Sequence, residues 1–167
     1  MDLLQYFPDL SFMPERFFSW SPQEKTIYFD PHRLRSNTGK IALLHEIGHA
    51  RLGHTLYKYD IQLLNMELDA WDFVREHAGR YGLEVDEAHI TECIASYDTW
   101  LQKRATCPAC TNFSLQAGRD NYRCFMCNSR WSVNWRKDRR VKRTLLPHPD
   151  LANEIVRQHT AQHAKAN

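Results

Sequence analysis

Hydrophobic positions recur along the 167-residue chain with a changing period. Residues 1–24 are rich in aromatic side chains and proline (Tyr6, Phe7, Phe12, Pro14, Phe17, Phe18, Trp20) but show no clean repeat. They are expected to pack on the main body, with a short helix between Pro14 and Ser19. Lys25–Asp30, β-branched and aromatic between Pro22 and Pro31, reads as a short strand. Helical spacing begins after Ser36-Asn37-Thr38, a run of helix-capping residues. Ile41, Leu44, Gly48 and Leu52 then recur at three- and four-residue steps, predicting a helix from about Gly39 to Gly53 with that stripe toward a core. A second helix is predicted from Asp60 to Tyr81, stopped by Gly82, and a third from about Asp86 to Arg104 with Ile90, Ile94, Tyr97 and Leu101 on one face. Residues 106–135 change character to cysteines, turn residues and short strand-like runs. A basic run at 136–143 and a helix over 149–163, capped by Asp150, close the chain.

Composition narrows the class. At 43% hydrophobic and 25% charged residues, the chain falls near globular averages, against collagen-like, coiled-coil or disordered readings. No apolar run approaches the ~20 residues of a membrane span. Met1-Asp2-Leu3-Leu4-Gln5 has neither the basic start nor the apolar run of a signal peptide, so a cytoplasmic, reducing location is expected. The net charge of +2 conceals a split. Residues 1–100 hold 9 Lys/Arg against 16 Asp/Glu, a net of −7, whereas residues 101–143 hold 11 against 2, a net of +9. An acidic body joined to a basic module suggests two tasks.

The body carries His45-Glu46-Ile47-Gly48-His49. Four residues apart on a helix, the two imidazoles share a face and can pinch one Zn²⁺. Glu46 projects beside that position, placed to take a proton from a water and pass it to a leaving amine. A third ligand is needed, and two residues are candidates. His54 lies five residues after His49, one short of the six-residue spacing of the metzincin pattern. Glu67, eighteen residues on, would complete a His₂Glu site if the second helix returned alongside the first. Tyr57, Tyr59 and His54 are candidate donors to an oxyanion, and Thr26–Phe29 a candidate edge for an extended peptide.

His45-Glu46-Ile47-Gly48-His49-Ala50-Arg51-Leu52-Gly53-His54, with Glu67-Leu68-Asp69-Ala70-Trp71-Asp72-Phe73-Val74, resembles the ImmA/IrrE group of gluzincin-like zinc metallopeptidases over about residues 25–80. The resemblance implies His45, His49 and Glu67 as ligands of a catalytic zinc, Glu46 as general base, and a protein or peptide substrate. Asp69 is the fallback ligand. Trp71 stands where related enzymes often carry an Asp or Asn that orients a ligand histidine, leaving Asp69 and Asp72 as candidates for that task.

Cys107-Pro108-Ala109-Cys110 and Cys124-Phe125-Met126-Cys127 form two C-x-x-C knuckles, which predict a closed, structural Cys₄ zinc site in a ribbon hairpin. Cys93 reads as a packing residue. Arg130, Arg136, Lys137, Arg139, Arg140, Lys142 and Arg143, interleaved with Trp131 and Trp135, are candidates for DNA or RNA contact. The expected architecture is α+β. A mostly helical zincin-like metallopeptidase domain with a small β element spans 1–104, a Cys₄ zinc ribbon 105–135, and a basic segment with a C-terminal helix 136–167. The expected activity is that of a zinc endopeptidase recruited by its ribbon. The competing readings are a SprT/Spartan-like DNA–protein crosslink protease, whose third histidine near a His-Gly pair has no counterpart after His49, and a non-catalytic nucleic-acid-binding adaptor, against which an intact Glu46 argues.

Overall fold

The computed structural model describes residues 3–135, 137 and 139–147. The helix expected over 149–163 and Arg136 lie outside them. Among the described residues the protein is α+β, with three α-helices and two small sheets. It divides into two compact units, Met1–Tyr97 and Asp98–Asn167.

In the first unit the aromatic N-terminal stretch forms strands rather than the helix expected between Pro14 and Ser19. Strands β1 (Ser11–Pro14), β2 (Ser19–Ser21) and β3 (Thr26–Phe29) make a sheet in the order β1-β3-β2, with β1 parallel and β2 antiparallel to β3. Proline at position 14 denies a helix an amide proton and suits an edge strand. The order also moves the expected peptide-binding edge. Thr26–Phe29 is central and paired on both sides, so the edge strands are β1 and β2.

Helix α1 (Asn37–Arg51) starts at Ser36, whose hydroxyl accepts from the Gly39 N–H at 3.0 Å. Ile41, Leu43, Leu44 and Ile47 on α1 join Ile27 and Phe29 of β3, Val74 and Ala78 beyond, and Leu3 and Phe7 in one core. Full burial of each large aliphatic side chain contributes about 1.5–3 kcal/mol. Leu52, expected on the core stripe, is 47% exposed because α1 has already ended. That end is built by Gly53, whose φ of +67° turns the chain back. Gly53 N–H donates to the Ala50 carbonyl at 3.2 Å and His54 N–H to the His49 carbonyl at 3.0 Å, the pair of bonds that defines a Schellman motif.

Helix α2 (Asp60–His77) begins where Gln62 Oε1 accepts from the N–H groups of Lys58 and Tyr59. It packs closely on α1. A Cβ added at Gly48 would lie 3.2 Å from the Ala70 carbonyl oxygen and 3.2 Å from Phe73 Cδ1. Any side chain here would press on α2 and force it to give by a few tenths of an ångström or more, so glycine suits the close approach. Helix α3 (Glu87–Ala105) follows and runs across the boundary between the units.

In the second unit β4 (Leu115–Gly118), β5 (Asn121–Arg123), β6 (Arg130–Val133) and β7 (Arg143–Leu146) form an antiparallel sheet in sequence order. Tyr122 and Trp131 stack with ring centroids 5.4 Å apart in its small core. Arg104 is wholly buried there. Its guanidinium donates to the Asn134 carbonyl, approaches Asp120 at 3.6 Å and lies over the Trp100 ring. Its own carbonyl accepts from Trp131 Nε1 at 2.9 Å. A buried cation is tolerated when it is paired and hydrogen-bonded in this way.

Gly48→Val is expected to lower the unfolding free energy by about 1–3 kcal/mol, the usual cost of overpacking. Urea denaturation checks this, and unchanged stability would show that the helices have room to spare.

Candidate metal centres

Among the described residues two clusters have the composition and spacing to hold a metal ion: His45, His49 and Glu67, and Cys107, Cys110, Cys124 and Cys127. In the first, one helical turn places His45 Nε2 3.1 Å from His49 Nε2. The close approach of α2 brings Glu67 Oε2 to 3.2 Å from His45 Nε2 and Oε1 to 3.8 Å from His49 Nε2. All three residues are buried. A tetrahedron of N and O ligands about 2.0–2.1 Å from an ion has edges of about 3.3 Å. The three donors therefore stand at the separations of ligands around a shared cation, and the donor set suits zinc.

The protonation preferences agree with this. Burial, reinforced by His45, drives His49 down to about 3, so its imidazole is neutral and free to ligate at ordinary pH. Burial alone would raise Glu67, but the His45 hydrogen bond and the nearby imidazoles outweigh it and hold the carboxyl below its ordinary value. Glu46 differs. Its Oε2 accepts from the Trp20 N–H of strand β2 at 2.8 Å. Burial, opposed by His45 and aided by Glu67, lifts its carboxyl to about 7.

Three further residues shape the site. His54 is not gathered among the ligand atoms. The Schellman turn instead brings its Nδ1 to 2.8 Å from His49 Nδ1, and its Nε2 lies 3.9 Å from Asp69. Trp20 Nε1 donates to the His54 carbonyl at 2.9 Å, so one tryptophan anchors both Glu46 and His54. Trp71 packs its ring against His45 at 4.2 Å, while His45 Nδ1 is buried without a hydrogen-bond partner. Asp72 is exposed and pairs with Arg75. The His45 ring is thus held by packing and the His49 ring by a polar neighbour. Tyr97 of α3, assigned to an apolar stripe by its spacing, shares a hydrogen bond with Glu67. Burial and the Glu67 charge raise its phenol. A phenol on a helical stripe reads as core unless its hydroxyl partner is known, and nothing local in the sequence names Glu67. The cleft over these groups has a volume of about 280 Å³, with Trp20, Glu46, Tyr57, Met66 and Tyr97 among its walls. Tyr59 stands instead at the N-cap of α2.

The cysteine cluster rests on two matching turns. Thr111 N–H donates to the Cys107 carbonyl at 3.0 Å and Asn128 N–H to the Cys124 carbonyl at 3.1 Å. Each turn leaves the residue after its second cysteine at positive φ, 62° for Thr111 and 59° for Asn128. Across the cluster, Cys107 and Cys127 Sγ are 3.6 Å apart and Cys110 and Cys124 Sγ 3.4 Å. Edges of about 3.8 Å belong to four sulfurs bound at ~2.3 Å, so the knuckles already enclose an ion-sized space. Without a cation, burial pushes the Cys107 thiol up to about 11, so a thiolate there calls for positive charge at the centre. Cys93 is a half-buried residue on α3, its Sγ 3.7 Å from His89 Nε2.

Of the basic residues, Arg130 lies on β6 and Arg143 opens β7, where it donates to the Thr106 carbonyl at 2.8 Å. Lys142 precedes β7, and Lys137, Arg139 and Arg140 lie between β6 and β7. The chain matches no known family model, no curated protein and no solved structure.

Two measurements follow. Metal analysis of the purified chain should find two zinc ions, one lost in Glu67→Ala and the other in Cys107→Ser/Cys110→Ser; a single ion in the wild type would contradict the pairing of sites. The second concerns Glu46 in metal-stripped protein. Its folded pKa exceeds the ordinary value of 4.5, so the folded state binds the proton more tightly and stability falls as pH rises from about 4.5 to 7. Glu46→Gln lacks this loss. It should be more stable than the wild type at pH 8, by about 2–3 kcal/mol, with the gap closing toward pH 4.5. Denaturant melts across pH check this, and a gap that ignores pH would rule it out.

Proposed function

We propose that the first unit is a zinc-dependent endopeptidase. The observation that carries this reading is the juxtaposition of a three-donor set at ligand spacing with a carboxylate adjacent in sequence and aimed into the same open cleft. A closed, purely structural site would use a fourth protein ligand and has no need of Glu46. The motif residues that resemble the ImmA/IrrE metallopeptidases support the same reading. The third donor drawn to His45 and His49 is a carboxylate, which favours this family over a peptidase that uses a third histidine.

Zinc held by His45, His49 and Glu67 would supply Lewis acidity, polarising a carbonyl and making a water more acidic. The chain's own groups perform the rest. Glu46, beside the donor set and on the wall of the cleft, is placed to accept a proton from a water there and return it to the departing amine. The Trp20 N–H keeps one carboxylate oxygen fixed, so the other is directed. Tyr57 lines the cleft and carries a hydroxyl of the kind that stabilises a developing oxyanion, whereas the Tyr97 hydroxyl is given to Glu67 and steadies that carboxylate. Strand β2 borders the cleft through Ser19 and Trp20, and because the Trp20 N–H is committed to Glu46, a peptide in the cleft would lie beside β2 rather than extend its hydrogen-bond ladder.

Glu46→Gln tests the assignment. Cleavage of a casein-like substrate, or of the chain itself, should fall by about 10²–10⁴ with zinc content unchanged. Equal cleavage by both proteins would remove Glu46 as the base.

A further inference from the structure

The register of the second sheet sorts its side chains onto two faces. Leu115, Arg123, Arg130 and Leu146 form one cross-strand row, and Asn121, Ser132 and Thr144 the next on the same side. The Asn134 N–H donates to the Lys142 carbonyl, continuing the pairing one step past β6 and β7 and adding Asn134 and Lys142 to that side. The alternate positions, Tyr122, Trp131 and Val133, are buried in the core. Arg143 pairs with Val133 and is turned toward Thr106, away from this surface.

The open face therefore presents Arg123, Arg130 and Lys142 among Asn, Ser and Thr side chains, with no acidic residue in any of these rows. Arg123 and Arg130 are direct cross-strand partners on β5 and β6. Like charges placed opposite one another destabilise a sheet unless something answers them. Arg123 Nε is fixed by Asn128 Oδ1 at 2.7 Å, and among the described residues nothing claims its remaining donors or pairs with the Arg130 guanidinium. From Arg130 to the Asn134–Lys142 row is about 13 Å along the strand, too far for one phosphate to bridge. A repeating polyanion fits this spacing.

We propose that this open face binds the phosphodiester backbone of a nucleic acid, without base readout. Arg, Lys, Ser, Thr and Asn are the side chains that contact phosphate oxygens, and they make up the face between its two edge leucines. A protein partner would call for an aromatic or aliphatic anchor near the centre of the surface, and the face has none. Contact is therefore centred on the strands, with Lys142 contributed by the basic run at 136–143, and Arg123, which no spacing in the sequence singles out, joins it. The assignment stands apart from the peptidase reading and does not depend on it.

The test is fluorescence anisotropy of the full, zinc-loaded chain with labelled single-stranded DNA, duplex DNA and RNA of about 15 nucleotides, from about 50 to 200 mM salt. Arg123→Ala/Arg130→Ala/Lys142→Ala should weaken binding on the order of tenfold or more and lower the slope of log K against log salt by about 2. Metal content and a circular dichroism spectrum equal to the wild type's show that the variant is folded. Arg139→Ala/Arg140→Ala should change affinity less than the triple variant. The ranking of the three oligonucleotides identifies the form bound. The proposal is overturned if the wild type binds none of them, if the triple variant binds equally well, if Arg139→Ala/Arg140→Ala abolishes binding, or if polyglutamate of matched charge competes as well as the oligonucleotide.

Discussion

The first unit depends on how closely α1 lies against α2. Gly48 sits between His45 and His49, and its missing side chain is what the Ala70 carbonyl and Phe73 press against. The residue that allows this approach thus lies at the centre of the donor set it assembles. A bulkier residue at 48 would move Glu67 away from both imidazoles at once, since Glu67 lies one turn before Ala70 on the same helix. Packing and coordination are one geometric condition here, met by a single small residue.

The second unit solves a different problem. Its core has few large side chains, chiefly Tyr122, Trp131 and Val133. The two knuckles and the buried Arg104 share the remaining work. Arg104 links Asn134, Asp120 and Trp100, so a cation serves as a hub where a larger domain would use leucine. A metal bound by the four cysteines would add binding free energy that is also folding free energy.

The three α-helices of the described residues, the His45/His49 pair and the cysteine cluster are legible in the sequence, because a helix repeats every 3.6 residues and a C-x-x-C knuckle is local, whereas Glu67 stands in it only as one of two candidates for the third donor. His45 and His49 share a face by that period alone. What the sequence hides is everything fixed by a partner distant along the chain. Trp20 reads as one aromatic among many, yet its N–H and indole hold Glu46 and His54. Tyr97 reads as core. The sheet order that makes β3 the centre, with β1 and β2 as its edges, follows from three short strands whose pairing no local pattern specifies. His54 is an instructive intermediate case. Its spacing excludes the metzincin role, but the glycine before it already signals a left-handed turn, and that turn carries residue 54 back over His49. Arg123 lies outside the conspicuous basic run and becomes a neighbour of Arg130 only through the register of β5 and β6.

Trp20 has a larger consequence. It belongs to the strand that borders the cleft, and through two separate donors it grips Glu46 on one side of the donor set and the residue behind His49 on the other. Strand position and site alignment therefore have a common mechanical reference. Any shift of β2 would displace Glu46 and the support behind His49 together, and any load on one of them would be felt by the other through a single side chain and its strand.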